Sequence, residues 1–273
     1  MQASNRIALL AGGGDLPTRL AERMRDTNKP FIVTFEDTPN WVTSYDHLTV
    51  AFERPGQIFR ALRERGIKDV VMAGHMSRPS LNPFKFDLTM WGLAARLLPA
   101  LKSGDDHSLR VILALFENRG YNIHGAHQIA PELLVKKDMQ TKTKLTPQDR
   151  KDIDRAVNIL GALSDADIGQ GCVVAAGLCL GVETIQGTDA MLRFVAANKS
   201  KKGGVFVKAP KANQDRRVDM PTIGAETIKQ VLDAGLNGIA LIEDGALVLD
   251  RQEVCAAADK AGLFITVLHK DLL

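Results

Sequence analysis

Short apolar runs alternate with amphipathic helical stretches along this chain, and that alternation restricts the fold more than any other feature. Arg6-Ile-Ala-Leu-Leu-Ala11 reads as a strand; Gly12-Gly13-Gly14-Asp15-Leu16-Pro17 follows, and then the helical spacing of Leu20 and Met24. Phe31 to Phe35 is a second strand. A helix over 56–66 turns Ile58, Phe59 and Leu62 inward and closes on Gly66, and a third strand over 70–73 runs into Gly74-His75. Strands separated by helices imply a mainly parallel sheet covered on both faces, a Rossmann-like N-terminal domain.

The second half also mixes α and β. Thr146-Pro147 starts a helix carrying Ile153, Val157 and Leu160, with proline at a favoured first-turn position. The apolar run Cys172–Val182 reads as a buried strand pair, Gly204 to Lys208 as a strand, and Ile228, Val231 and Leu232 as a helix closed by Gly235. Strands over 238–242 and 246–249, an Ala-rich helix about Cys255 and a strand over 263–268 complete the pattern. The polar interval 138–147 is the expected boundary, which gives domains 1–140 and 141–273. A length of 273 residues suits two domains.

Balanced charge, 35 basic against 32 acidic residues, argues against nucleic acid as the main partner. Cys172, Cys179 and Cys255 lack a Cys-x-x-Cys spacing and lie among apolar or Ala-rich neighbours, so they read as buried thiols in a reducing compartment rather than zinc ligands. No apolar stretch is long enough to cross a bilayer, so a cytoplasmic location is expected, with membrane-surface docking still open. The stretch 84–101, rich in Phe, Leu, Met and Trp, reads as either a core helix or a lipid-facing flap.

Four groups of residues carry chemistry. Gly12-Gly13-Gly14 with Asp15 joins a strand to a helix, where backbone N–H groups can hold an anion; proline at 17 spoils the dinucleotide fingerprint, and a purely structural turn is the alternative. Gly104-Asp105-Asp106-His107 precedes a helix, so its acids either cap that helix or contact a ligand. Gln186-Gly187-Thr188-Asp189 repeats the strand-to-helix placement, with Thr188 as a possible N-cap. The loop from Lys208 to Gly224 packs four cations, two carboxylates and two amides between a strand and a helix. Asp189, Asp215 and Asp219 would suit a hard cation such as Mg2+; Lys208, Arg216 and Arg217 suit phosphate, and Gln214 suits a base or sugar. Lone histidines such as His75 are more often structural than metal-bound.

Taken in order, Ala-Gly-Gly-Gly-Asp-Leu-Pro at 11–17, Gly-Asp-Asp at 104–106, Gln-Gly-Thr-Asp at 186–189 and Gln-Asp-x-Arg-Val-Asp-x-Pro-x-Ile-Gly within the loop resemble the LpxI-type UDP-2,3-diacylglucosamine pyrophosphatases of lipid A biosynthesis. The resemblance runs the length of the chain. It implies a hydrolase using Mg2+ or another divalent cation to split a nucleotide-linked glycolipid, UDP-2,3-diacylglucosamine, into 2,3-diacylglucosamine 1-phosphate and UMP. Two domains with the ligand between them, homodimers, and peripheral contact with the cytoplasmic face of the inner membrane are further implications.

On that resemblance the catalytic candidates are Asp189, Lys208, Asp215, Asp219 and position 225. Asp189 and Asp219 are the metal candidates. Substrate-binding candidates are Gly12, Gly13, Asp15, Gly74, His75, Asp105, Asp106, Thr188, Gln214 and Thr222. Ala225 stands where the resemblance leads one to expect an acid, which makes a catalytically impaired form an expectation. The rivals are a nucleotide-sugar transferase and a nucleotide-lipid binding protein without chemistry.

Overall fold

The computed structural model describes residues 6–26, 29–36, 38, 44–76, 81–103, 105–198, 203–211 and 214–272, with the backbone alone at 101–103 and 105–107. Two compact units emerge: Met1–Pro131 with Asp215–Asp219, and Glu132–Gln214 with Met220–Leu273. The first division thus falls at 131/132, and the middle of the 208–224 loop belongs to the first unit.

The first unit runs β1 (Ile7–Ala11), α1 (Leu16–Met24), β2 (Phe31–Phe35), β3 (Asp46–Val50), α2 (Pro55–Glu64), β4 (Asp69–Ala73), α3 (Leu88–Ser103), α4 (Asp105–Glu117), β5 (Asn122–His124) and α5 (Ala126–Ile129). Its sheet order is β3-β2-β1-β4-β5, and every pairing is parallel. β1 and β2 are buried almost throughout because helices cover both faces of a parallel sheet. Ile58, Phe59 and Leu62 of α2 pack into this core with Phe31, Val33 and Phe116, and Gly66 follows the helix at φ 64°. β3 is a strand that periodicity does not reveal: Asp46, His47 and Thr49 are exposed on the sheet edge, so its apolar signal is thin.

The second unit contains α6 (Pro147–Ser164), β6 (Gly171–Ala175), β7 (Leu178–Val182), α7 (Gly187–Asn198), β8 (Val205–Lys208), β9 (Thr222–Ile223), α8 (Ala225–Asp233), β10 (Gly238–Ile242), β11 (Leu247–Val248), α9 (Arg251–Ala261) and β12 (Phe264–Leu268). Its main sheet, β12-β10-β8-β6-β7, is mixed: β12, β10 and β8 pair in parallel, whereas β6 is antiparallel to both neighbours. β9 and β11 form a separate parallel pair. Thr146 caps α6 by accepting from the Asp149 N–H, and Asp149 accepts in return from the Thr146 N–H at 2.8 Å.

The three thiols do not share one environment. Cys172 is buried, Cys255 is half-buried, and Cys179 is exposed. β7 is an edge strand, so Leu178 and Cys179 at its start are exposed despite the apolar sequence.

Candidate functional site

In the first unit the strand order reverses at β1, whose neighbours β2 and β4 lead away in opposite directions. Open parallel sheets bind ligands outside the carboxyl ends of strands at such a point. Both Gly turns lie there, Gly12–Gly14 after β1 and Gly74-His75 after β4. Gly13 and His75 exchange backbone hydrogen bonds of 2.8 and 3.0 Å, and the Gly12 N–H donates to Ala73 O at 2.8 Å. The glycines allow this approach, since a Cβ on Gly12 would lie 2.5 Å from His75 O. The amides of Gly12 and Gly13 are therefore spent on β4 and its turn, leaving Gly14 and Asp15 to lead into α1.

An apolar cavity of about 330 Å³ opens beside this turn. Phe52, Ile58, Met90, Leu97 and Ile112 are among its walls, and Ser108, His75 and Asp219 bring polar groups to it. His75 and Asp219, far apart in sequence, thus meet on one cavity. The side chains of Asp105 and Asp106 lie outside the described residues.

Within the loop, Asp215 is committed to Arg217. It accepts from the Arg217 backbone N–H at 3.0 Å, from Nε at 3.0 Å and from Nη2 at 2.7 Å, while Arg217 Nη1 reaches Glu117 at 2.6 Å. The guanidinium holds the Asp215 carboxyl below the usual range, and burial opposes that shift only in part. Asp215 is thus a fixed counter-ion that shapes the turn carrying Val218 and Asp219, whose N–H groups donate to Asp215 O. A depressed folded-state pKa contributes stability above the unfolded value of roughly 4, and that contribution fades as pH falls through the folded value. Asp215→Asn should lower the melting temperature at neutral pH, and the gap from the parent should shrink in melts recorded progressively below pH 4.

In the second unit Lys208 ends β8 with its side chain buried. Its Nζ donates to Thr188 Oγ1, Thr188 Oγ1 donates to Glu183 Oε2 at 2.9 Å, and Nζ lies 3.7 Å from that same carboxylate oxygen. Glu183 is a site residue that motif reading misses. It stands just past β7, and only strand pairing brings it to Lys208: its N–H donates to Gly171 O at 2.7 Å while Gly171 pairs with Lys208. Thr188 is not an N-cap; α7 starts one residue earlier, at Gly187, whose positive φ of 82° makes the entry turn. Asp189 is exposed in the first turn of α7, where the helix dipole favours its charge.

The other candidates of this unit serve the loop ends. Gln214 Oε1 accepts from the Lys211 N–H at 3.0 Å and the Gln214 N–H donates to Lys211 O at 3.2 Å, closing a small turn. Thr222 lies on β9 and donates to Met220 O at 3.3 Å. Ala225 opens α8, and Glu226 follows it as the acid of the first turn.

Hard carboxylate oxygens suit Mg2+, which takes one or two protein carboxylates and completes its shell with water and phosphate. Among the described residues no group of three or more His, Cys, Asp or Glu forms a ready-made cage. Asp189, in the second unit, and Asp219, in the first, each carry one carboxylate. This donor chemistry fits a cation that arrives with a phosphate. The positive end of α7 fits the same picture, because it welcomes an anion and opposes a cation that comes alone.

Comparison with known proteins agrees along the chain. Residues 6–133 match the LpxI N-terminal domain and residues 136–266 the LpxI C-terminal domain. A protein of Caulobacter vibrioides described as UDP-2,3-diacylglucosamine pyrophosphatase LpxI is 39% identical over 271 residues, covering 95% of this chain and 96% of that protein. With both halves matched in order and identity sustained across them, the chain belongs to the LpxI family.

Proposed function

We propose that this chain hydrolyses the pyrophosphate of UDP-2,3-diacylglucosamine, releasing 2,3-diacylglucosamine 1-phosphate and UMP for lipid A synthesis. The sustained identity to the Caulobacter pyrophosphatase across both domains carries this reading. In the second unit Lys208 supplies a buried cation for phosphate oxygens, held in place by Thr188 and Glu183. Such a charge, desolvated and pre-oriented, stabilises negative charge that develops as a P–O bond breaks. Gln214 and Thr222 offer an amide and a hydroxyl for the uridine. In the first unit Gly74 and His75 border the apolar cavity, whose lining suits an acyl chain.

Asp189 in the second unit and Asp219 in the first are each a candidate carboxylate for Mg2+. Such an ion, when bound, neutralises phosphate oxygens and makes water a better nucleophile. The reading places the protein at the cytoplasmic face of the inner membrane, as a homodimer. Among the described residues, no helix is long and apolar enough to cross a membrane.

The purified chain with Mg2+ and UDP-2,3-diacylglucosamine should release UMP and the lipid 1-phosphate with no acceptor added. A requirement for an acceptor would identify a transferase, and tight binding without turnover would identify a binding protein.

Impairment at Ala225 is tested in the same assay. Equal turnover by the parent and Ala225→Asp would show that position 225 does not limit the reaction. An inactive parent revived by Ala225→Asp would instead establish the impaired form.

A further inference from the structure

Helix α3 is apolar on two opposite faces. Met90, Leu93 and Leu97 are buried, packing with Phe86, Ile112 and Leu115. The opposite face presents Leu88, Trp91, Gly92, Ala95, Leu98 and Pro99 to solvent, with the exposed Arg96 beside them. Phe84, in the 3-10 turn just before it, is 100% exposed, Leu88 91% and Trp91 57%. Scattered exposed apolar residues are ordinary on a soluble protein, but a continuous stripe of large ones marks a contact surface.

The chemistry beside the stripe selects the partner. Between positions 81 and 103 the sequence has three cations, Lys85, Arg96 and Lys102, against one acid, Asp87. That acid is turned to the backbone, accepting from the N–H groups of Gly56 and Met90 at 2.7 Å each. Two aromatic rings and a leucine stripe flanked by the exposed cations Lys85 and Arg96 match a helix lying in the headgroup region of an anionic bilayer. Phe86 packs edge-on against Trp91 at 5.2 Å, which fixes the ring that would enter the lipid. The buried side of the same helix, through Met90, Leu93 and Leu97, lines the 330 Å³ apolar cavity.

We propose that Phe84 and the exposed face of α3 dock this chain on the surface of an anionic lipid bilayer. This deepens the hydrolase reading by naming the membrane-contact surface, and rests on it only in explaining why a membrane-derived substrate would be met there. One helix then separates lipid from the cavity, so an acyl chain leaving the bilayer has a short apolar route inward.

The full chain should co-sediment with vesicles of phosphatidylethanolamine and phosphatidylglycerol and far less with pure phosphatidylcholine vesicles. The triple substitution Phe84→Ser, Leu88→Ser and Trp91→Ser should weaken that binding about tenfold or more. Hydrogen exchange on the unsubstituted chain keeps the test decisive if the triple variant is unstable, since the anionic vesicles should slow exchange within 82–98. Failure of the parent to bind, or equal binding by a folded triple variant, overturns the proposal. So does protection of 82–98 that grows with protein concentration in the absence of vesicles, which would identify a second copy as the occupant. These vesicles contain no nucleotide-linked lipid, so vesicle binding by a chain that fails to hydrolyse UDP-2,3-diacylglucosamine would leave docking standing and remove the hydrolase reading.

Discussion

Lys208→Met should lower kcat for UDP-2,3-diacylglucosamine roughly 100- to 1000-fold, the loss typical of removing one pre-oriented charge from a phosphoryl-transfer site. Methionine keeps most of the length and volume of the side chain in a place where Lys208 is only 7% exposed, so packing is largely retained. What disappears is the ammonium that touches Thr188 and faces Glu183. The variant leaves Glu183 without its cation, and a half-buried carboxylate so stranded costs stability as well. Denaturant unfolding beside the kinetics separates the two effects. A lost melting transition with unchanged turnover per folded molecule would make Lys208 structural. Glu183→Gln offers a second check, since it keeps an acceptor for the Thr188 hydroxyl while removing the charge. A positioning role for Glu183 predicts an altered pH profile of kcat, which a packing role would not produce.

Gly74→Ala should destabilise the first unit by about 3 kcal/mol or more. Two independent costs act at this position. Its φ of 90° lies where a side chain is strained, and a Cβ would stand 2.6 Å from Gly13 O and 2.8 Å from Pro17 Cγ. The carbonyl belongs to the backbone and cannot rotate aside. Relief requires opening the Gly13–His75 bridge, which gives up two hydrogen bonds worth about 1 kcal/mol each. Gly66→Ala is the matched control: φ is also positive, at 64°, yet nothing lies within 4 Å of the added carbon. That variant should lose only the conformational part, about 1 kcal/mol. Equal losses from the two substitutions, measured by urea unfolding, would show that the turn between β1 and β4 is not as tight as described.

The same turn shows how far local sequence reaches. Gly12-Gly13-Gly14 between a strand and a helix is legible as a ligand turn or a structural one. The structure shows the structural part, because the first two amides of the turn, at the reversal of strand order, are already bonded to β4 and the turn after it. No periodicity reports which strand neighbours β1.

Charge pairing separates the readings of the 208–224 loop in the same way. Its composition is legible as polar, and one internal pairing, Asp215 with Arg217, neutralises two of its charges. Its division between units is a long-range outcome: Gln214 remains with the second, Asp215–Asp219 joins the first, and Met220 returns. Glu183 escaped notice because it lies outside the Gln-Gly-Thr-Asp motif and reaches Lys208 only through the pairing of Gly171 with that residue.

By itself the sequence determined the strand and helix alternation, the mixed α/β class and the motif order of the family, all of which rest on short-range spacing of apolar residues and turn formers. Tertiary structure alone decided which amides and carboxylates were already satisfied, that β3 and β7 are edge strands, and that α3 carries apolar side chains on both faces. Spacing along a chain fixes which way neighbouring side chains point relative to one another. Whether a given face meets protein or solvent depends on segments tens of residues away, and only the folded chain brings those together.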